Sequence, residues 1–144
     1  MFNIEICLIL ILFIMINFKL LINQLILSGK NNYKFIKLPY TNFIYNICII
    51  LYKEYYIKNF IYYTSKIDFK TYIIIELLFL NTLPKLNKII SFNYRLKINY
   101  KKYKDLLKLK NKSGLFIINT SKGIMSLSET LLCKCGGIIL LYIL

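Results

Sequence analysis

The last thirty residues constrain the fold most. An apolar run, Gly114-Leu115-Phe116-Ile117-Ile118, leads into Asn119-Thr120-Ser121-Lys122-Gly123. Ser126-Leu127-Ser128-Glu129, Gly136-Gly137 and a closing apolar run, Ile138–Leu144, follow. Short β-branched runs of this kind read as buried strands. Ser126 and Glu129 have the S-x-x-E spacing of a capping box, which satisfies two orphan N–H groups at a helix start, so a short helix is expected over 127–133. The glycine pair permits a turn that other residues would strain. Strand, loop, helix, turn and strand in so few residues define a β-rich unit with one short helix. The loop at 119–123 presents hydroxyls, a cation and free backbone N–H groups between two rigid flanks, a combination suited to reading an anion. Ser/Thr-Gly turns are also ordinary turn chemistry, so this reading needs support from the rest of the chain.

Charge supplies part of it. The chain carries 20 Lys+Arg against 6 Asp+Glu, a net +14, so its natural partner is a polyanion. Ten basic residues crowd between Lys85 and Lys112, among them Arg95, the single arginine, and Lys97, Lys101 and Lys102. Like charges at this density repel, and phosphates relieve that repulsion. The interleaved Tyr94, Tyr100 and Tyr103 offer stacking surfaces for unpaired bases. With no histidine, nucleophile–base pair, paired carboxylates or phosphate loop in the sequence, an enzyme is not expected, nor is a cofactor or a small-molecule substrate. The four cysteines, Cys7, Cys48, Cys133 and Cys135, lack the paired spacing of a zinc site. They read as free thiols, with Cys133 and Cys135 facing the core beside the glycine pair.

At the amino terminus, Ile6–Ile16 is an unbroken apolar run. As a helix it extends about 16 Å, roughly half the thickness of a hydrocarbon core. Extending it to Leu27 brings in Asn17, Lys19, Asn23 and Gln24, too many polar groups for an easy span. A small basic protein anchored in a membrane by residues 4–27 is the competing class. The preferred expectation is an extension over 1–17, with residues 1–16 forming a helix packed on protein. Phe18, Leu21, Ile22 and Leu25 give residues 17–27 an amphipathic face, stopped by Ser28-Gly29-Lys30-Asn31-Asn32. A strand over 33–38 then ends at Pro39. Thr41 is a suitable N-cap for a helix from Asn42 to Tyr55 whose core face carries Phe43, Ile44, Ile47, Ile50 and Leu51. Ile57–Tyr63 and Tyr72–Leu80 read as paired strands, and Asn81-Thr82-Leu83-Pro84-Lys85 as a linker. The expected architecture is α+β in two small domains: an amino-terminal α/β sandwich-like domain over 18–83 and a β-rich carboxy-terminal domain over 84–144.

Two of these segments carry a resemblance. Thr120-Ser121-Lys122-Gly123-Ile124-Met125-Ser126, the short helix, Gly136-Gly137 and the last strand resemble the carboxy-terminal domain of the eighth small-subunit ribosomal protein. That family has a Ser-Thr-Ser-x-Gly loop, Val/Ile-Met-Thr, a short helix, a Gly-Gly turn and a last strand. Leu38-Pro39-Tyr40-Thr41-Asn42, with the helix leading to Leu51 through Phe60, is similar to the family's Met-Pro-Ser-Ser-Lys, helix and Leu-Lys-Glu-Glu-Gly-Phe-Ile-x-x-Phe. Both match without a gap. The chain departs at the first loop serine, here Asn119, and at the glutamate after the glycine pair, here Ile138. The basic residues of the amino-terminal helix are largely gone. The stretch from Ile90 to Ile98 lacks the family's Pro-Gly turn, and the segment up to Gly114 is about two residues longer. The resemblance implies direct binding of small-subunit ribosomal RNA and neighbouring small-subunit proteins as partners. It also implies RNA-contacting roles for Thr41, Asn42, Arg95, Lys97, Lys101, Lys102, residues 119–123, Gly136 and Gly137. The abundance of Ile, Asn, Lys, Tyr and Phe, with no Trp or His, looks like AT-rich codon drift. Such drift inflates hydrophobicity and points to an organelle-encoded protein, mitochondrial ahead of relict plastid.

Overall fold

The computed structural model describes residues 2–80, 83–86, 88–91 and 100–144. Arg95, Lys97 and residues 92–98 of the stretch that lacks the Pro-Gly turn lie outside them. The chain is α+β, as its sequence suggests. In order, the elements are α1 (Phe2–Asn31), β1 (Phe35–Pro39), α2 (Asn42–Lys53), β2 (Ile57–Thr64), β3 (Thr71–Leu77), β4 (Phe79–Leu80) and β5 (Leu83–Pro84). Then come β6 (Ile89–Ser91), β7 (Tyr100–Lys101), α3 (Tyr103–Leu107), β8 (Leu115–Thr120), β9 (Gly123–Ser126), α4 (Leu127–Leu132) and β10 (Gly137–Ile143).

Antiparallel pairing makes one sheet in the order β1-β3-β2 and a second in the order β6-β10-β8-β9, with β7 also on β10. The first sheet turns Ile36, Leu38, Ile73, Ile75 and Leu77 inward, the alternation expected of a half-buried sheet. α1 and α2 cover this face with Leu21, Leu25, Ile44, Ile47 and Leu51, all fully buried. The same apolar cluster continues into Leu115, Ile117, Leu140, Leu141 and Ile143 of the second sheet. The two halves thus meet through hydrocarbon, reinforced at the surface by Lys53 Nζ and Glu129 Oε1 at 3.2 Å. That ion pair is largely exposed and contributes little.

Two expectations need correction, and the amino-terminal helix adds an observation of its own. First, the helix expected over 17–27 runs on into the stop segment 28–32, and α1 is continuous from Phe2 to Asn31. The Ser28 hydroxyl, buried, donates back to the carbonyls of Gln24 at 2.6 Å and Leu25 at 3.1 Å, so it stays within the helix. The stop comes at Asn32, whose φ of 56° is left-handed, and Tyr33 N–H donates to Ser28 O at 3.0 Å in a Schellman closure. The amino-terminal residues 2–16 are helical, and within this chain Leu12, Phe13, Ile14 and Ile16 are 56%, 57%, 39% and 65% exposed, open to packing on a partner protein. The window Leu12–Asn31 is long and apolar enough to cross a membrane. Its latter half nevertheless holds Leu21 and Leu25, both buried in the core, so lipid and core compete for the same side chains. Second, Cys133 is exposed and Cys135 half-exposed; neither faces the core. Cys133 caps the end of α4, where its backbone N–H donates to Glu129 O.

Among the described cysteines Cys48 is the buried thiol, and burial pushes its pKa up from 9.0 to about 12. It is therefore neutral at physiological pH. Because an unfolded thiol ionises near 9, the stability this site holds below that pH is lost as pH rises from about 9 towards 12. In native protein at pH 8, iodoacetamide should alkylate Cys133 readily and leave Cys48 unmodified until denaturant is added, a difference that peptide mass spectrometry measures.

Candidate nucleic-acid interface

The loop expected between a strand and a helix is the tip of a β-hairpin. β8 and β9 pair antiparallel, with Ile117 opposite Ser126, Ile118 opposite Met125, Asn119 opposite Ile124 and Thr120 opposite Gly123, which leaves Ser121-Lys122 as a two-residue tip. Gly123 has φ +115°, a conformation L side chains rarely adopt, while the space where a Cβ would stand is empty. This glycine is needed for the turn itself. The Thr120 hydroxyl donates to Gly123 O at 2.9 Å and accepts from Lys122 N–H at 3.1 Å, so it braces the tip from within. Ser121 and Lys122 are exposed, and neither side chain has an intramolecular partner among the described residues. Asn119 is half-buried between β9 and β10.

β9 then enters α4 through the expected capping box. Ser126 Oγ accepts from Glu129 N–H at 3.4 Å, and Glu129 Oε2 accepts from Ser126 N–H at 3.2 Å. Thr130, fully buried, donates its hydroxyl to Ser126 O at 2.7 Å and ties the helix to its own start.

The glycine pair closes the same edge of the sheet by a route the sequence did not suggest. Neither Gly136 nor Gly137 has a positive φ; the left-handed residue of that turn is Lys134, at 52°. What the pair supplies is space. A Cβ on Gly137 would stand 2.5 Å from Asn119 O and 2.7 Å from Ile118 Cγ2. On Gly136 it would meet the Tyr100 hydroxyl at 2.6 Å and Lys101 O at 2.8 Å. Gly137 sits opposite Thr120 on one side and Lys101 on the other. The fold therefore gathers Asn119, Thr120, Ser121, Lys122, Gly123, Lys101, Lys102 and the glycine pair at one edge. Thr41 and Asn42 stand elsewhere, at the start of α2 beside β1. There Thr41 Oγ1 accepts from Ile44 N–H at 3.2 Å as the N-cap, and Asn42 Oδ1 accepts from the Tyr40 hydroxyl at 3.0 Å.

Next to the hairpin edge runs the lysine segment. Lys101, Lys102, Lys104, Lys108, Lys110 and Lys112 are all exposed, and only Lys108 has an ion-pair partner among the described residues, Asp105 at 3.2 Å. Tyr100 is 57% exposed beside them. The segment contains α3, a helix the sequence reading left out, although Tyr103, Leu106 and Leu107 have its spacing and Leu106 is fully buried. The result is a rigid polar tip beside a row of exposed lysines, five of them without a carboxylate partner among the described residues.

The model of the family Ribosomal protein S8 matches residues 22–144. The chain belongs to the ribosomal protein S8 family. Among curated relatives, the small ribosomal subunit protein uS8 from each of two strains of Bacteroides fragilis is 31% identical over 117 residues, spanning 77% of this chain and 85% of the relative. The S8 match takes in the hairpin, the lysine segment, α4 and the glycine pair, as well as Thr41 and Asn42. It begins at residue 22, so the exposed apolar turns of α1 at Leu12–Ile16 precede it.

Proposed function

We propose that this protein is a component of the small ribosomal subunit that binds small-subunit ribosomal RNA directly and supports assembly of the subunit for translation. The observation that carries this reading is the hairpin tip: in an S8-family chain, exposed Ser121 and Lys122 stand on a turn braced by Thr120, beside five lysines without ion-pair partners among the described residues. The Ser121 hydroxyl, free to donate and accept, is suited to a base edge or a 2′-OH. Lys122 and the row 101–112 are suited to phosphate, and Thr120, Gly123, Gly136 and Gly137 give the tip its shape. Thr41 and Asn42 form a second contact on the amino-terminal domain, 18–83, so that both it and the domain 84–144 touch the RNA. Neighbouring small-subunit proteins are the other partners, and no small molecule, membrane or catalytic step is part of the role.

The skewed composition, rich in Ile, Asn, Lys, Tyr and Phe with a single Arg, supports an organelle ribosome, mitochondrial ahead of relict plastid. The test is fractionation of the source cells. The protein should sediment with the small ribosomal subunit of the mitochondrial fraction and be released from it by high salt. Retention in membranes after salt and carbonate washing, with none on the subunit, would refute the reading.

A further inference from the structure

A second recess lies at the far end of β8 from the hairpin tip, a separation of about 16 Å at the usual rise of an extended strand. Here α3 packs against α4, and between them opens a cleft of about 570 Å³. Its apolar lining comes from Tyr103 and Leu107 on α3 and from Leu127, Leu131 and Leu132 on α4. Beneath it lies a small core of Leu106, Phe116, Ile118 and Ile139, in which the Phe116 ring stacks on Tyr142 at 4.2 Å. Leu107 and Leu132 are 42% and 83% exposed, leaving hydrocarbon at the mouth in water. Ser126 and Ser128, with hydroxyls 2.8 Å apart, form one polar wall.

Two lysines decide the kind of occupant. Lys110 and Lys112 are in the lining, and neither has a carboxylate partner among the described residues. An apolar side chain from a protein would cover the leucines but leave both ammonium groups unneutralised. A nucleotide matches both features: its flat base lies against leucine and tyrosine while its phosphate meets the lysines. The volume is within the range of sites for ligands of that size. Glu54, also in the lining, can accept from an exocyclic amino group, which favours an amino-bearing base such as adenine.

We propose that the α3–α4 cleft holds a single unstacked nucleotide of a bound RNA, the base between Leu107 and Leu132 and the phosphate on Lys110 and Lys112. This rests on the RNA-binding reading and adds to it a second, separate contact.

The experiment uses the full chain with labelled leucine methyls, titrated with adenosine 5′-monophosphate, adenosine and inorganic phosphate. The nucleotide should shift the methyls of Leu107, Leu127, Leu131 and Leu132. Adenosine should shift the same methyls at least fivefold more weakly, and phosphate alone should leave them unmoved. Lys110→Ala with Lys112→Ala, both at exposed positions, should reduce nucleotide affinity to that of adenosine. Unmoved methyls under the nucleotide would overturn the proposal. So would saturation by N-acetyl-leucinamide at concentrations where the nucleotide has no effect, which would make the cleft a seat for a protein side chain. Binding of ribosomal RNA by the same sample keeps the two ideas apart. If RNA binds while the cleft ignores the nucleotide, only the cleft proposal fails; if the cleft takes the nucleotide while ribosomal RNA does not bind, only the ribosomal reading fails.

Discussion

Raising monovalent salt from 50 to 200 mM should weaken binding of this protein to its ribosomal RNA about a thousandfold. The lysines at 101, 102, 104, 108, 110 and 112 are exposed, and a phosphate placed on each releases condensed counterions. About six such contacts give a log–log slope near −5, and the fourfold salt change then accounts for the loss. The lone ion pair of the segment, Lys108 with Asp105, lies on the surface and is screened in the same range, so it does not withhold Lys108 from phosphate. Filter binding or anisotropy across a salt series measures the slope. An affinity that stays flat across the series would show that these lysines are merely a solvated face.

Gly137→Ala should be among the most damaging single methyl additions available in this chain. The new Cβ would fall 2.5 Å from the backbone oxygen of Asn119 and 2.7 Å from Ile118 Cγ2, with Thr120 Cγ2 at 3.0 Å. The first of these atoms belongs to the β8 ladder and cannot move without breaking pairing with β10. Overpacking of this kind costs about 1–3 kcal/mol, and a backbone obstacle puts the expectation at the upper end. For a chain of this size that corresponds to a fall in melting temperature of about 2–4 °C per kcal/mol. Gly123→Ala is opposed for a different reason: its Cβ meets nothing, but φ +115° strains any L side chain. A Gly137→Ala variant as stable as the parent would mean that the glycine pair is there for its ligand and not for packing.

Much of this was legible in the residues. The S-x-x-E capping box, the Thr41 cap, the inward face of α2 and the order of the long strands follow from periodicity and cap chemistry, both of which act within a few residues. Features decided by distant residues were not legible. The role of Gly136 and Gly137 depends on β7 and β8 lying against them, and spacing along the chain carries no trace of that. Thr120 was read as a hydroxyl facing outward. Only the pairing of Thr120 with Gly123 shows that it closes the turn on itself, although Thr-Ser-Lys-Gly between Ile118 and Ile124 already carried a hairpin signal. The stop segment Ser28–Asn32 was legible, but its start was not: Ser28 and Gly29 favour termini, and burial of the Ser28 hydroxyl against the helix's own carbonyls kept them helical as far as Asn31. The exposed thiol of Cys133 shows the limit of residue-type statistics, since cysteine is usually buried and here caps a short helix at the surface.

The claim at the centre of this account is that the hairpin tip reads RNA, and Ser121→Ala tests it most directly. Ser121 is exposed, and its hydroxyl has no intramolecular partner among the described residues, so its loss should leave the melting temperature unchanged. If the hydroxyl pairs with a buried nucleotide edge, truncation strands that partner at about 1–3 kcal/mol. Binding to the cognate ribosomal RNA should fall ten- to a hundredfold, with the salt slope unaltered and binding to a scrambled RNA unaffected. Lys122→Ala, measured alongside, should weaken both RNAs and reduce the slope by about one. A Ser121→Ala protein that folds normally and binds cognate and scrambled RNA as the parent does would contradict the account and leave the hairpin tip a structural turn.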